Sequence, residues 1–217
     1  MKKVLLSLVF IIIAGFIYSQ TTVTDIDGNV YKTVKIGEQV WLAENLKVTK
    51  YRNGDPIPFI TDSVAWTDLT TGAYCNYRNK KKIAKNYGRM YNWYAVVDNR
   101  NICPSGWHIP SDEEWAELGK FLGGDLVAGG KMKLNDSTIW REPNLGATNE
   151  SGFSGLPGGR QYHSAFFFLH EYGMYWSTTE MDSTLAWSRY LTYCSPQLSR
   201  FTYKKYYGLS VRCIKDK

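Results

Sequence analysis

The segment CPSGWHIPSDEEWAEL, residues 103–118, concentrates side chains that can do chemistry. It holds Cys103, His108 and a run of three acids from Asp112 to Glu114. Imidazole, thiolate and carboxylate groups bind transition metals and serve as general acids and bases in enzymes. The same residue types also begin helices, so the segment allows two interpretations.

The order of the residues favours a helix that begins after Ser111. Ser111 and Glu114 form the capping-box pattern S-x-x-E, and acids in a first turn interact favourably with the helix dipole. The apolar residues that follow at helical spacing are Trp115, Leu118, Phe121 and Leu122. Gly123 and Gly124 are expected to end the helix. The acids are therefore predicted to stabilise the N-terminus of this helix and not to form a metal or catalytic site. His108 has no histidine or aspartate at a metal-pair spacing, so we predict a hydrogen-bonded packing residue.

The elements around this helix are predicted to be short strands. TVTDI and VYKTVKI flank a DGN turn, and GMYWST, TLAWSRYLTY, QLSRFTYKK and GLSVRCIK follow late in the chain. In the last segment, Leu209, Val211 and Cys213 alternate with Ser210, Arg212 and Ile214 and are expected to share the inward face. YGRMYNWYAVV is predicted to be a short helix. Residues 123–159 are glycine-rich and predict a long loop region, of the kind that often carries function.

The chain begins with the features of an exported protein. Lys2 and Lys3 precede an apolar run over residues 4–16 that is too short to span a membrane comfortably. We predict a signal peptide over residues 1–19 and a single domain over 20–217. The expected location is secreted, extracellular or at the cell surface, with no membrane span after cleavage. The net charge of +6 is mild, and we expect no nucleic-acid partner.

Six ordered motifs carry a family resemblance. They are VKIGEQVWLAENLK, YGRMYNWYAV, CPSGWHIPSDEEW, GATNESGFSGLPGG, YWSTTE and GLSVRCIKD. Together they are similar to the Fibrobacter succinogenes major paralogous domain, a family of exported bacterial proteins. The resemblance implies an α+β fold, a C-type-lectin-like domain related to formylglycine-generating-enzyme domains, with short antiparallel strands and one well-capped helix. It implies no established activity.

The four cysteines, Cys75, Cys103, Cys194 and Cys213, suggest disulfides. Their spacing is unlike that of a zinc site, and spacing alone leaves three possible pairings. The family resemblance implies the pairing of Cys103 with Cys213. The remaining pair, Cys75 with Cys194, is then expected to form the second disulfide.

A binding module for carbohydrate is the first functional hypothesis, because the chain has 16 Tyr and 8 Trp. Aromatic rings can cover the C–H faces of sugars while polar groups bind the hydroxyls. Long loops carry function more often than cores do, which favours the NESGF segment over the tryptophans. The candidate ligand-binding residues are Asn149, Glu150, Ser151, Arg160, Trp176 and Tyr190.

Glu142-Pro143-Asn144 spells EPN, a tripeptide that supplies oxygens to calcium in sugar-binding lectins. The W-N-D motif of those lectins is missing, and Arg189 follows one of the candidate tryptophans. A calcium site needs six to eight oxygens, so we predict no metal and no cofactor.

Two other classes of function stay open. One is a structural or adhesive surface protein that binds other proteins. The other is an enzyme, although the chain lacks the close cysteine pair of the formylglycine-generating type and shows no HExxH, phosphate loop or nucleophile elbow. Asp136 and Glu150 could form a carboxylate pair only if the fold brought them together. We expect a non-catalytic protein.

Overall fold

The computed structural model describes residues 21–163 and 165–217, so the predicted signal peptide lies outside the described residues. The strands are β1 (Thr22–Thr24), β2 (Val30–Ile36), β3 (Gln39–Leu42), β4 (Tyr74–Cys75), β5 (Met90–Tyr91), β6 (Trp107–His108), β7 (Arg160–Tyr162), β8 (Ala165–Phe167), β9 (Tyr172–Glu180), β10 (Leu185–Thr192), β11 (Ser195–Lys204) and β12 (Ile214–Lys215). The helices are α1 (Ser63–Thr67), α2 (Lys81–Tyr87), α3 (Trp93–Val96), α4 (Asp112–Phe121) and α5 (Asp125–Met132), and a 3-10 turn spans Tyr77–Asn79. The expected mixture of helices and strands is confirmed.

Every sheet of the described residues is antiparallel. Five strands follow the order β1-β2-β3-β12-β6, and β11-β10-β9 form a second sheet. The pairs β4-β5 and β7-β8 form two further hairpin-like units. In the first sheet, β12 lies between β3 and β6. The sheet therefore joins a C-terminal strand to an early strand and to one from the middle of the sequence.

The predicted β1–β2 hairpin forms around an aspartate turn. The Asp25 carboxylate accepts hydrogen bonds from the backbone N–H groups of Asp27 and Asn29 and from the Tyr31 hydroxyl. Gly28 has a φ of 82°, a conformation that glycine adopts without the steric cost of a Cβ. The local sequence thus determines this turn.

Helix α4 has the predicted capping box. The Ser111 hydroxyl accepts from the Glu114 N–H, and the Glu114 carboxylate accepts from the Ser111 N–H at 2.8 Å. Trp115 and Leu118 are fully buried, as expected. The expectation for Phe121 was wrong, because its side chain is 63% exposed and lies over Gly37 instead of joining the core.

The glycine-rich region contains a second helix where a loop was expected. The segment DLVAGGKM forms α5, which packs against β11. A Cβ at Gly129 would collide with the carbonyl of Gln197 in that strand. These glycines therefore permit a close helix–strand contact, which the sequence pattern does not distinguish from loop flexibility.

Two other predicted elements differ from the structure. YGRMYNWYAVV is divided between strand β5 and the four-residue helix α3, because the Asn92 side chain accepts from Ala95 N–H and begins a new helix there. GLSVRCIK is regular only at β12. Its residues Ser210, Arg212 and Ile214 are as buried as Leu209 and Cys213, so the predicted inward and outward faces do not exist.

The disulfide implied by the resemblance is confirmed: Cys103 and Cys213 are bonded. The second pairing was wrong, since Cys75 is a buried free thiol and Cys194 an exposed one. Cys75 packs in an apolar cluster with Trp66 and Met90, whereas Cys194 lies in the turn between β10 and β11. An even cysteine count does not bring two residues of different elements within bonding distance.

Candidate ligand-binding surface

The NESGF segment lies beside a cleft of about 1140 Å³. Glu150, Ser151 and Gly152 form one wall, and residues of β2, including Lys32 and Lys35, form another. The loop prediction therefore placed three candidate residues, Asn149, Glu150 and Ser151, at or next to a concave part of the surface.

The polar atoms of these three side chains are bonded within the protein. Asn149 accepts from the Ser154 N–H at 2.8 Å and donates to its hydroxyl. Glu150 pairs with Lys131 at 3.0 Å, and Ser151 donates to the Lys131 carbonyl. A side chain that already holds the loop has few free donors or acceptors for a ligand. The contacts therefore support a bracing role for this segment.

Arg212 requires the NESGF loop to hold its position, because two of its hydrogen-bond acceptors are carbonyls at the end of that loop. Its fully buried guanidinium donates to the carbonyls of Leu42, Phe153 and Ser154 and to the side chain of Asn45, at 2.6–2.9 Å. Burial lowers the pKa of Arg212 to about 10, so it stays charged at neutral pH. One cation thus joins three of the motifs that carried the resemblance: VWLAENLK, NESGFS and SVRC.

Trp176 is not a ligand platform. Its side chain is fully buried, and its indole N–H donates to the Tyr91 carbonyl at 2.8 Å. The period-two pattern of β9 could not distinguish this outcome, because residues 173–177 are all buried.

Polar and aromatic residues of α4, β10 and β11 form an internal ion-pair group. Asp112 pairs with Arg189 at 2.9 Å and with Arg200 at 2.7 Å. Arg200 in turn lies 3.2 Å over the ring of Trp187. Asp112 is therefore more than a first-turn acid of α4, because it joins this helix to β10 and β11.

The remaining candidates, Arg160 and Tyr190, lie on one continuous aromatic surface. We call it the tyrosine surface, and its members are Arg160, Tyr162, Phe168, Tyr172, Tyr190, Tyr203 and Tyr207. Neighbouring rings stand 4.5–6.0 Å apart along the series Tyr162–Tyr207–Tyr203 and the series Phe168–Tyr172–Tyr190. All of these side chains except Tyr203 are partly exposed.

Arg160 joins the two series of rings. Its guanidinium carbon lies 5.1 Å from the Phe168 ring centre and 5.3–5.8 Å from those of Tyr162, Tyr203 and Tyr207. Each cation–π contact of this kind contributes about 0.5–2 kcal/mol, according to how far it is desolvated. Arg160 of β7 thus contacts one ring of β11 and one ring that lies just before β9.

Most of this surface was not among the residues predicted from the sequence to bind a ligand. Tyr162 and Phe168 precede β9, while Tyr203 and Tyr207 follow from the segment TYKKYYG. The density of aromatics in HSAFFFLHEYGMYW and TYKKYYG was the available signal. Their convergence depends on the pairing of β9, β10 and β11 and on the placement of β7, which are tertiary features.

His108, the last residue of the CPSGWH motif, lies between two carboxylates. Nε2 lies 2.9 Å from the Glu114 carboxylate and Nδ1 lies 2.6 Å from that of Asp216. This confirms the predicted hydrogen-bonded packing residue. Partial burial lowers the pKa of His108, but the two carboxylates outweigh that effect, and the pKa lies above its ordinary value.

This raised pKa predicts a loss of stability at higher pH. A histidine with a higher pKa in the folded than in the unfolded state stabilises the fold fully below about pH 6.5. That contribution disappears as the pH rises through the folded-state pKa. We expect it to be about 1 kcal/mol or less, because the side chains are partly solvent-screened.

Urea unfolding between pH 5 and 9 checks this prediction. The difference in free energy of unfolding between wild type and His108→Gln should shrink as the pH rises. Asp216→Asn, which removes one of the two carboxylates, should reduce the same pH dependence. A difference that stays constant across this range would contradict the assignment.

The EPN tripeptide lies next to a buried lysine. The Glu142–Pro143 peptide is cis. The Lys133 ammonium donates to the carbonyls of Leu145, Thr192 and Ser195 at 2.8–3.0 Å. An internal cation thus binds the backbone oxygens beside the tripeptide. Within residues 21–163 and 165–217, no three His, Cys, Asp or Glu side chains are grouped to hold a metal ion.

The fold and this surface define a class of protein: a disulfide-bonded α+β protein whose partly exposed aromatic side chains surround an arginine. The sequence model of the Fibrobacter succinogenes major domain matches residues 34–215, and the chain belongs to that family. The match spans β2 to β12 and includes the bonded cysteines and Arg160. No curated protein and no solved structure gives a significant match. None of the helices in the described part of the chain is both long and apolar enough for a membrane span.

Proposed function

We propose that this protein is an exported, non-catalytic module, with a C-type-lectin-like arrangement, that binds carbohydrate on the tyrosine surface. The observation that carries the proposal is the tyrosine surface itself, a connected set of rings from β7, β9, β10, β11 and adjoining segments, all of them partly exposed except Tyr203. Tyrosine suits this task because its ring is apolar and its hydroxyl can both donate and accept.

The exposure of the rings separates them from the core aromatics. Trp115, Tyr175 and Trp176 are fully enclosed and pack against other buried residues. In contrast, Tyr162, Tyr190 and Tyr207 keep part of their surface in water. A sugar that covers such a surface releases water from the rings while its hydroxyls keep polar partners at the edges.

A glycan and polysaccharide array with oxidised protein over residues 20–217 tests the proposal. Binding should occur equally with calcium and with chelator, because the tyrosine surface needs no metal. Tyr207→Ala and Tyr162→Ala should each weaken binding about tenfold, which corresponds to one lost aromatic contact of roughly 1.4 kcal/mol. Phe121→Ala, an exposed ring on α4, is the matched control and should bind like wild type.

A protein partner is the alternative that a specific observation favours. Phe121, Leu126 and Val127 are exposed on the neighbouring helices α4 and α5. Exposed apolar patches mark protein or membrane interaction sites and ligand-binding grooves, so these side chains are candidate contacts for a protein partner. If no glycan binds, and binding to a surface protein is lost in Phe121→Ala but kept in Tyr207→Ala, the adhesive function replaces the carbohydrate function.

A further inference from the structure

Arg160, which is partly buried, differs from the buried cations of the described residues in having no anionic or carbonyl partner. Arg189 is paired with Asp112, and Lys205 with Glu180. Lys133 and Arg212 each donate to three backbone carbonyls. Arg160 forms no ion pair with any described residue, and its buried Nε has no hydrogen-bond partner among them.

The rings around Arg160 do not supply the missing negative charge. Burial raises the pKa of Tyr203 and of Tyr207, although Arg160 opposes the shift in both. Both phenols are therefore neutral at physiological pH. Cation–π contacts attract the guanidinium without neutralising it, so the centre of the tyrosine surface carries a net positive charge.

A second cation lies at the rim of the same surface. The Lys204 ammonium stands 5.9 Å from the ring centre of Tyr206, and that ring lies 5.3 Å from Tyr207. Lys204 is exposed on β11. Lys204 therefore adds a second positive charge beside the rings that surround Arg160.

We propose that the tyrosine surface binds acidic polysaccharides, with Arg160 recognising the carboxylate of a uronic-acid unit and Lys204 a neighbouring one. This inference rests on the proposed carbohydrate function and names its ligand class. A planar guanidinium matches a carboxylate through two parallel N–H donors, a geometry that an ammonium cannot reproduce. The rings would cover the C–H face of the same sugar unit.

The decisive probe is a pair of polymers that differ only in charge: polygalacturonate and its fully methyl-esterified form. Wild type should bind the acid at least about tenfold more tightly than the ester, because charge-assisted hydrogen bonds are stronger than neutral ones. The preference should decrease with added salt.

Arg160→Met should remove most of the preference, with Lys204 left to supply the remainder, and its far-UV circular dichroism spectrum and urea midpoint should show that the variant folds. Arg160→Lys keeps the charge but loses the paired donors, so it should recover only part of the preference. Lys120→Met removes one exposed positive charge from α4 and should leave the preference unchanged, which controls for the overall charge of the protein.

Equal binding of acid and ester by wild type overturns the inference but leaves the proposed carbohydrate function intact, provided that Tyr207→Ala weakens both. A preference for the acid that is undiminished in Arg160→Met also overturns it. Failure of both polymers and of every glycan on the array removes the carbohydrate function itself, and the inference with it.

Discussion

Replacing Arg212 with methionine is expected to lower the free energy of unfolding by about 5 kcal/mol, enough to abolish most of the stability of a typical domain. The guanidinium donates to three buried carbonyls and to the Asn45 side chain. Methionine has a similar length but no donors. Each carbonyl that is left without a partner in a dry interior costs about 1–3 kcal/mol.

Urea unfolding followed by tryptophan fluorescence measures this effect. Arg141→Met is the matched control, because Arg141 is exposed and its pair with Glu171 is a surface salt bridge, which contributes about 1 kcal/mol or less. Arg212→Lys should lie between the two, since an ammonium has three donors but cannot reach the same set of acceptors. A loss of less than 2 kcal/mol in Arg212→Met would show that water takes over the carbonyls.

Breaking the disulfide is expected to cost a similar amount. The bond between Cys103 and Cys213 closes a loop with a sequence separation of 110 residues. In the chain-entropy account, a cross-link over a loop of this length restricts the unfolded state and contributes about 4–5 kcal/mol. The double substitution Cys103→Ser with Cys213→Ser should lower the urea midpoint accordingly, and reduction of wild type should give the same shift.

Cys194→Ser is the control, because this exposed free thiol should contribute less than about 0.5 kcal/mol. Thiol titration of unfolded, unreduced wild type should find two free thiols per chain, from Cys75 and Cys194. In the native protein only Cys194 should react, since Cys75 is buried and its burial raises the pKa of the thiol. Zero thiols in the unfolded protein would restore the second disulfide.

Both predictions concern the same short C-terminal segment, where the pattern of the sequence was misleading. Alternation over GLSVRCIK predicted that Arg212 faces solvent, yet it is completely enclosed. The segment is surrounded on both sides, by the NESGF loop and by the elements around Cys103. A buried arginine is rare enough that local pattern always favours exposure. Only the convergence of distant carbonyls makes its burial favourable.

Features that depend on neighbours in the chain were predictable from the sequence. The capping box of α4 joins residues three apart, and the DGN turn joins residues four apart. The end of α4 depends on the positive φ of a single residue, Gly123. The β9, β10 and β11 strands also followed from strand-forming segments separated by turn residues. The Cys103–Cys213 bond came from the family resemblance, because spacing allowed three pairings.

The candidate site required the tertiary structure. Of the six candidate ligand residues, the structure places Arg160 and Tyr190 on the tyrosine surface, three in the braced NESGF loop and Trp176 in the core. The residue types alone indicated that aromatics and cations were abundant. Which rings stay in water, and which cation lacks a partner, depends on contacts between residues up to about 50 positions apart, such as Arg160 with Tyr203 and Tyr207. The spacing of these residues in the sequence does not predict the distances between them, because those distances are set by how the strands pair.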